Sequence, residues 1–231
     1  MYQNKRYELP EVLKANAYPG RGIFLGMTPG GLPLAGYFIM GRSQNSRNRV
    51  FVKAEEGLLI RPYDEKLVSD PSLIIYHPVR QLGQALIVTN GDQTDTVTAA
   101  INCGGSFESA LRSRAFEPDA PNFTPRISGI MDLETGHYKL SILRSSDDRG
   151  SACDRLFYEY APIPGEGRFI HTYEADGSPL PPFFGEPARV NIPQDTEVFG
   201  KGLWQALHPD NKIALYLRVG DQVAIFNRYT V

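Results

Sequence analysis

Three polar stretches of this chain hold the residues best suited to chemistry, and the first lies at residues 42–49. It reads RSQNSRNR and connects an apolar run at 34–40 to the apolar residues 50–52. Arginine offers a planar fork of donors that fits carboxylate and phosphate oxygens, and asparagine and glutamine both donate and accept. The pattern fits two structures: a solvated hairpin tip, or one wall of a site for a polar, anionic small molecule.

The second stretch, residues 89–96, reads TNGDQTDT and ends an apolar run that begins at residue 84. Asn90 and Gly91 form a strong turn signal, and the residues after them include several helix-capping side chains. The first turn of a helix leaves backbone N–H groups free, and these can bind phosphate or polarise a carbonyl group. We therefore predict a turn that leads directly into the start of a helix.

The third stretch, residues 116–126, reads FEPDAPNFTPR and combines carboxylates, an amide and an arginine in a proline-stiffened segment. Taken alone, this composition favours an ordinary connection between a helix and a strand. Tyr76, which stands before His77 and Pro78 at the end of a predicted strand, has a hydroxyl group that either donates in a site or lies at the rim of the core.

Several common catalytic designs are not encoded. The histidines are scattered without the spacing of a metal site, so we expect no metal. The chain has no G-x-S-x-G nucleophile elbow and no phosphate-binding P-loop. Nothing around Met1 and Tyr2 indicates an N-terminal nucleophile.

The composition is that of an ordinary globular protein with a tendency toward β-sheet. The 231 residues are 42% hydrophobic and 11% aromatic. A formal net charge of −2 provides no long-range field that would attract nucleic acid or an anionic membrane. The polar N-terminal residues lead into no apolar signal segment, and no run approaches the length of a membrane span. We expect a cytoplasmic protein that binds neither nucleic acid nor membrane.

The pattern of elements predicts an α+β protein. Helices are predicted at 11–16, at 97–101, from 106 to about 116, and from 195 to about 207, whereas 177–187 is predicted to be an irregular loop. Because the strands are grouped before and after the helices, antiparallel sheets covered by helices are favoured. No linker or repeat divides the chain, so we predict a single domain over 1–231. Strands are predicted at 23–27, 34–40, 50–52, 58–61, 73–76, 84–89, 127–131, 137–143, 156–160, 168–173, 213–219 and 222–227.

The three stretches resemble the signature blocks of the archaeal-type inosine monophosphate (IMP) cyclohydrolases. The similarity covers residues 37–49, then 76–79 with 85–96, then 122–127, and a weaker similarity lies at 170–174. The loop at 42–49 is a residue or two longer than the archaeal form, which leaves both Arg47 and Arg49 as counterparts of the family's catalytic-site arginine. The pair Asn48-Arg49 matches the family's Asn-Arg pair and favours Arg49.

The resemblance implies a fold and a reaction. The fold is a four-layer αββα sandwich like that of the N-terminal nucleophile hydrolases, used without their nucleophile. The reaction closes 5-formamidoimidazole-4-carboxamide ribonucleotide to IMP with loss of water, in purine biosynthesis, and needs no cofactor. The partner is thus a small purine-precursor nucleotide. The oligomeric state stays open, with a homo-oligomer as one option.

The resemblance also implies roles for particular residues. Arg49 and Tyr76 would polarise the formyl or carboxamide oxygen, and Glu117 would transfer protons, directly or through water. Two alternatives stay open: a non-catalytic nucleotide-binding protein on the same fold, and an amide hydrolase acting on C–N bonds. The nucleotide would be held by Arg42, Asn90, Asp95 and Arg126.

Overall fold

The structure is a computed structural model that describes residues 5–67 and 76–230. Thirteen strands and five α-helices lie within these residues. The helices are α1 (Leu9–Ala15), α2 (Gln44–Arg47), α3 (Gln93–Asn102), α4 (Phe107–Arg112) and α5 (Thr196–Ala206). The strands are β1 (Arg21–Met27), β2 (Pro33–Met40), β3 (Val50–Ala54), β4 (Gly57–Arg61), β5 (Val79–Leu82), β6 (Ala85–Thr89), β7 (Arg126–Asp132), β8 (Tyr138–Ser145), β9 (Cys153–Tyr160), β10 (Glu166–His171), β11 (Ala188–Asn191), β12 (Lys212–Val219) and β13 (Gln222–Asn227).

The strands form two antiparallel sheets. One has six strands in the order β11-β10-β1-β2-β12-β13, and the other has seven in the order β3-β4-β5-β6-β7-β8-β9. Alternate residues of a strand point to opposite faces, so one set of apolar side chains from each sheet meets its counterpart in a shared core. Ile23 and Tyr37 of the first sheet and Val88 and Leu140 of the second are fully buried in this core.

The remaining apolar faces are covered by helices. A second core joins α1 and α5 to the outer face of the six-stranded sheet, for example through Leu13, Phe38 and Leu203. A third joins α3 and α4 to the outer face of the seven-stranded sheet through Val97 and Leu111. The predicted α+β class with antiparallel sheets is confirmed, and the layers run helix, sheet, sheet, helix. No helix in the described ranges is long and apolar enough to cross a membrane.

The two sheets are also joined at one margin. The side-chain amide of Asn227, at the end of β13, accepts a hydrogen bond from the backbone N–H of Phe51 and donates to its carbonyl oxygen, both at 2.9 Å. These bonds imitate the pairing of a further strand along β3, the edge of the seven-stranded sheet.

The predicted elements agree with the structure except at a few places. The strands β5 and β11 were not predicted, α3 begins at Gln93 instead of residue 97, and α4 ends at Arg112 instead of about 116. The predicted strand at 73–76 falls mostly outside the described residues. Asp195 caps α5 as predicted, because its carboxylate accepts the N–H of Val198 at 2.9 Å.

Antiparallel pairing gathers the polar stretches at one end of the sandwich. The start of β1 lies beside the end of β2, since Arg21 pairs with Ile39. In the other sheet the end of β6 lies beside the start of β7, with Thr89 opposite Ser128. Residues that are far apart in sequence therefore meet at this end, between the two sheets.

Candidate active site

The stretch 42–49 is neither a plain hairpin tip nor an extended loop, because it contains the short helix α2. The hydroxyl of Ser43 caps this helix by accepting the N–H of Ser46 at 3.1 Å. The carbonyl oxygen of Ser46 then accepts a hydrogen bond from Nε of Arg49 at 2.7 Å. The helix thereby fixes the stem of Arg49. This arginine lies between the two sheets, at the end of the sandwich where the polar stretches meet, and we call this region the cleft.

Arg49 is buried, with 4% of its surface exposed. It stands two residues before Phe51, which lies in the core between the sheets, so strand alternation directs both side chains inward. Burial, together with the positive charge of Arg21, lowers the pKa of Arg49. Its terminal nitrogens donate no hydrogen bond to the described residues. The cleft therefore contains a cation with unused donors.

Arg21 is the second cation of the cleft. It opens β1, where Ile23 and Leu25 point into the core between the sheets, and the same alternation directs Arg21 to that face. Its Nε is inaccessible to solvent and has no hydrogen-bond partner in the described part of the chain. Burial lowers the pKa of Arg21, but the negative charge of Glu117 is among the influences that raise it above its ordinary value overall. An anion placed between Arg21 and Arg49 would be stabilised by both.

Two tyrosines, Tyr37 and Tyr76, lie near Arg49, since both influence its pKa. The hydroxyl of Tyr76 donates to the carbonyl oxygen of Asn90 at 2.9 Å. The hydroxyls of Tyr37 and Tyr76 are 3.2 Å apart, and because the proton of Tyr76 is already used, Tyr37 is the donor. Burial raises the pKa of both hydroxyls, so both remain neutral at physiological pH. The predicted role of Tyr76 as a donor to substrate stays a prediction, and it requires the bond to Asn90 to open.

Glu117 supplies the carboxylate of the cleft. It is half-buried and begins a loop that closes where its backbone N–H donates to the carbonyl oxygen of Thr124 at 2.9 Å. Its negative charge acts on Arg21 and on Tyr76. Its carboxylate forms no ion pair with the described residues. It is thus near the two cations without being locked to either.

Asn90 braces the wall of the cleft. Its side-chain oxygen accepts hydrogen bonds from the N–H of Ile127 and from the amide of Gln93, both at 2.9 Å. Its amide nitrogen donates to the carbonyl oxygen of Pro125 at 2.9 Å. Because both ends of the side chain are engaged, Asn90 contributes to the cleft through its backbone carbonyl group.

Arg42 lies at the rim of the cleft and is exposed. Its guanidinium is 2.6 Å from the carboxylate of Asp176, donates to the carbonyl oxygen of Gly177 at 2.8 Å, and lies 5.1 Å from the centre of the Tyr18 ring. Its charge is therefore already compensated by the loop at 177–187 and the residue before it.

Asp95 and Arg126 lie on the helix side of the seven-stranded sheet. Arg126 is next to the inward-facing Ile127, so its own side chain points outward, where it is 2.7 Å from both Asp92 and Gln93. The carboxylate of Asp95 is exposed on α3 and 3.2 Å from Arg80. The structure thus brings Arg49, Tyr76, Glu117 and Asn90 together and separates Asp95 and Arg126 from them.

Arg21 and Tyr37 were missed by the sequence reasoning. Arg21 precedes Ile23 and Leu25 with the two-residue spacing of an inward-facing strand. Tyr37 has the same two-residue spacing from Ala35 and from Ile39, so all three side chains point to one face of the strand. This two-residue spacing was the available signal that both side chains point inward. It does not show which inward-facing polar residues lie at the end of the sandwich, where a ligand can enter.

The cleft is suited to a reaction in which negative charge develops on an oxygen atom. It offers unused guanidinium donors for that oxygen and a nearby carboxylate for proton transfer. No group of three or more His, Cys, Asp or Glu side chains converges as a metal site among the described residues.

Comparison with known proteins identifies the family. The profile of IMP cyclohydrolase-like proteins matches residues 18–223. A protein named IMP cyclohydrolase from Methanopyrus kandleri is 29% identical over 180 residues, which cover 72% of this chain and 89% of that protein. Proteins of the same name from Methanocella arvoryzae and Methanococcus maripaludis strain S2 are 32% and 34% identical, over 52% of this chain and about 60% of their own lengths. The chain therefore belongs to the family of IMP cyclohydrolase-like proteins.

Proposed function

We propose that this protein is an IMP cyclohydrolase, which closes 5-formamidoimidazole-4-carboxamide ribonucleotide to IMP. The carboxamide nitrogen attacks the formyl carbon, a C–N bond forms, and the formyl oxygen leaves as water. The observation that carries the proposal is the pair of cations Arg49 and Arg21, which keep donors without a partner among the described residues, in a chain of this family.

Arg49 is the proposed donor to the formyl oxygen. Attack by the carboxamide nitrogen places negative charge on that oxygen, and a guanidinium already held in position stabilises this charge more than water would. Because Arg49 is fixed by its bond to Ser46, little reorganisation is needed during the reaction. Arg21, from the facing sheet, supplies a second positive charge.

Glu117 is the proposed proton-transfer group. Both protons of the departing water come from the substrate: the formamido nitrogen loses one when the C–O bond breaks, and the attacking nitrogen loses the other, which must be carried to the oxygen. A half-buried carboxylate without an ion-pair partner can accept and return that proton. Tyr76 would join it as a donor if its hydrogen bond to Asn90 exchanges for one to the substrate.

The nucleotide is proposed to enter past Arg42, which lies at the rim. Exchange of Asp176 for a phosphate oxygen would keep the charge of Arg42 compensated. Asn90 would fix the cleft wall, and Arg126 would support this wall from the helix side through Gln93. Asp95, which also lies on the helix side, would act only indirectly, through its ion pair with Arg80. The helix-sheet-sheet-helix order of the layers supports the further proposal that the fold is that of the N-terminal nucleophile hydrolases.

The test is to incubate the purified protein with the formylated ribonucleotide and follow IMP by its ultraviolet absorbance, without added metal. We expect enzyme-dependent formation of IMP, and its loss in the Arg49→Ala variant. Absence of product at micromolar enzyme would overturn the proposal. Binding of IMP without turnover would indicate a nucleotide-binding protein, and covalent trapping by an electrophilic substrate would indicate an amide hydrolase.

A further inference from the structure

A chain of three side chains connects the loop after α4 to the six-stranded sheet. The carboxylate of Asp119 accepts the backbone N–H of Thr124 at 2.6 Å and, with its other oxygen, the hydroxyl of the same threonine. The hydroxyl of Thr124 is 2.6 Å from the hydroxyl of Tyr173, and both are buried. None of these residues has a role in the function proposed above.

The direction of these hydrogen bonds follows from chemistry. A carboxylate accepts and does not donate, so the proton of Thr124 points to Asp119. The hydroxyl of Thr124 must then accept the proton of Tyr173. The hydroxyl of Tyr173 has no second proton, and towards any other neighbour it can act only as an acceptor.

Backbone pairing fixes Tyr173 next to Arg21. The N–H of Thr172 donates to the carbonyl oxygen of Arg21 at 3.0 Å, and the N–H of Tyr173 donates to that of Pro19 at 3.2 Å. Gly20 has a φ of +79°, and a Cβ atom added there would lie 2.5 Å from the Tyr173 ring. The tyrosine ring therefore packs on the backbone that leads into Arg21, and its hydroxyl contacts Thr124, whose carbonyl oxygen accepts the N–H of Glu117.

An acceptor beside a donor is the pattern that a primary carboxamide requires. The carboxamide has N–H groups that need an acceptor and an oxygen that needs a donor. We infer that Tyr173, oriented by Thr124 and Asp119, accepts an N–H of the substrate carboxamide while Arg21 donates to its oxygen. This inference rests on the proposed function and assigns the recognition of the attacking group.

Such a pair places the attacking nitrogen and also selects against a carboxylate. A carboxylate at the same position would present an oxygen to the acceptor face of Tyr173, and two acceptors facing each other repel. Asp119 and Thr124 would act only through Tyr173 and are therefore positioning residues. Their contribution is to keep the tyrosine proton away from the ligand.

The experiment compares two nucleotides by isothermal titration: 5-aminoimidazole-4-carboxamide ribonucleotide and its 4-carboxylate analogue. The quantity measured is the ratio of their dissociation constants, in which changes common to both ligands cancel. We expect Tyr173→Phe to change this ratio by on the order of tenfold relative to the wild-type protein, in the direction of tighter relative binding of the carboxylate nucleotide. Thr124→Val should shift it in the same direction, because Tyr173 then becomes free to donate.

Thr124→Ser is the matched control, because serine retains the hydroxyl, and it should keep the wild-type ratio. The double variant Thr124→Val with Tyr173→Phe should equal Tyr173→Phe alone, since the threonine acts through the tyrosine. A purely structural role for Thr124 would instead weaken both ligands equally.

An unchanged ratio in Thr124→Val and Tyr173→Phe would overturn the inference, as would failure of the wild-type protein to bind the carboxamide nucleotide. Binding does not depend on turnover, so the two proposals can fail separately. A shifted ratio without IMP formation would contradict only the cyclohydrolase activity, and IMP formation with an unchanged ratio would contradict only this inference.

Discussion

The arginines of the cleft and those beside α3 have the same chemistry but different surroundings. Arg114 and Arg126 are 2.5 Å and 2.7 Å from the carboxylate of Asp92. Partial burial alone would raise the pKa of Asp92, but these two arginines lower it below its ordinary value. Arg49 and Arg21 have no such carboxylate partner within ion-pair distance among the described residues. The number of arginines therefore does not distinguish the candidate site from the region beside α3. The distinguishing feature is that the arginines of the cleft lack a carboxylate partner among the described residues.

The difference between the two groups of arginines should have its largest effect on turnover. Arg49→Ala should lower turnover by at least about a hundredfold, because it removes a donor to the developing negative charge. Arg126→Ala, the matched variant from the paired cluster, should lower it by about tenfold or less. IMP formation under saturating substrate measures both, with circular dichroism to verify folding. Similar losses in the two variants would remove the distinction between the two groups of arginines.

Glu117→Ala should also lower turnover by at least about a hundredfold, because no proton-transfer carboxylate would remain. Asp92→Ala removes a carboxylate that is already shared by Arg114 and Arg126, and it should affect turnover much less. The same assay measures both variants. Near-normal turnover in both Arg49→Ala and Glu117→Ala would contradict the assignment of the site.

A third positive charge beside the cleft should be unfavourable. His171 is buried, its Nδ1 lies 2.8 Å from the carbonyl oxygen of Tyr173, and its ring packs against Phe183. Burial lowers the pKa of His171 from 6.5 to about 4. The unfolded chain therefore binds a proton at a higher pH than the native protein does.

The stability contributed by neutral His171 is present above pH 6.5 and should be lost as the pH falls from 6.5 toward 4. The expected loss in free energy of unfolding is about 2 to 3 kcal/mol. Urea unfolding across this pH range measures it, comparing His171→Gln with His137→Gln at an exposed position. A decrease of equal size in wild type and His171→Gln would assign the effect to other groups.

A smaller effect is expected on stability, with opposite signs in the two regions. Arg49→Met removes a buried charge that has no ion-pair partner in the described part of the chain, so the free energy of unfolding should rise by about 1 kcal/mol while activity is lost. Arg126→Met breaks hydrogen bonds to Asp92 and Gln93, so the free energy of unfolding should fall by about 1 kcal/mol. Urea denaturation measures both. A loss of stability in both variants would show that Arg49 is compensated within the fold.

The smallest effect should be at the rim. Arg42 and Asp176 have exposed side chains, at 39% and 48% of their surfaces, and solvent screens such pairs strongly. Arg42→Ala should therefore change the free energy of unfolding by about 0.5 kcal/mol or less. A weaker apparent affinity for the nucleotide in the steady-state assay would be its main consequence. An unchanged KM would exclude Arg42 from nucleotide binding.

Much of the fold could be predicted from local sequence patterns. Hairpins such as β1–β2 and β12–β13 follow from apolar runs separated by glycine-containing turns. The strands β5 and β11 were missed because each has only four residues and includes polar ones. Their strand conformation comes from pairing with neighbours, not from their own composition.

The candidate site could be predicted from the sequence only in part. Arg49, Tyr76 and Glu117 were predicted from the family resemblance, and the structure places them near one another; their roles stay predictions. Arg21 was not found, because its position depends on the pairing of β1 with β10 and on the packing of two sheets. The outward direction of Arg126 likewise depends on the register of β7. Neither relation is visible in a local stretch of sequence.

The bridge from Asn227 to Phe51 has a consequence for the dimensions of the cleft. Arg21 belongs to the six-stranded sheet, whereas Arg49 immediately precedes β3, the strand that the Asn227 amide binds. The distance between the two guanidinium groups is therefore set by the spacing of the sheets, and Asn227 acts as a spacer that fixes one margin. A residue at the margin of the sheets thereby helps to determine how large an anion can bind between the two arginines.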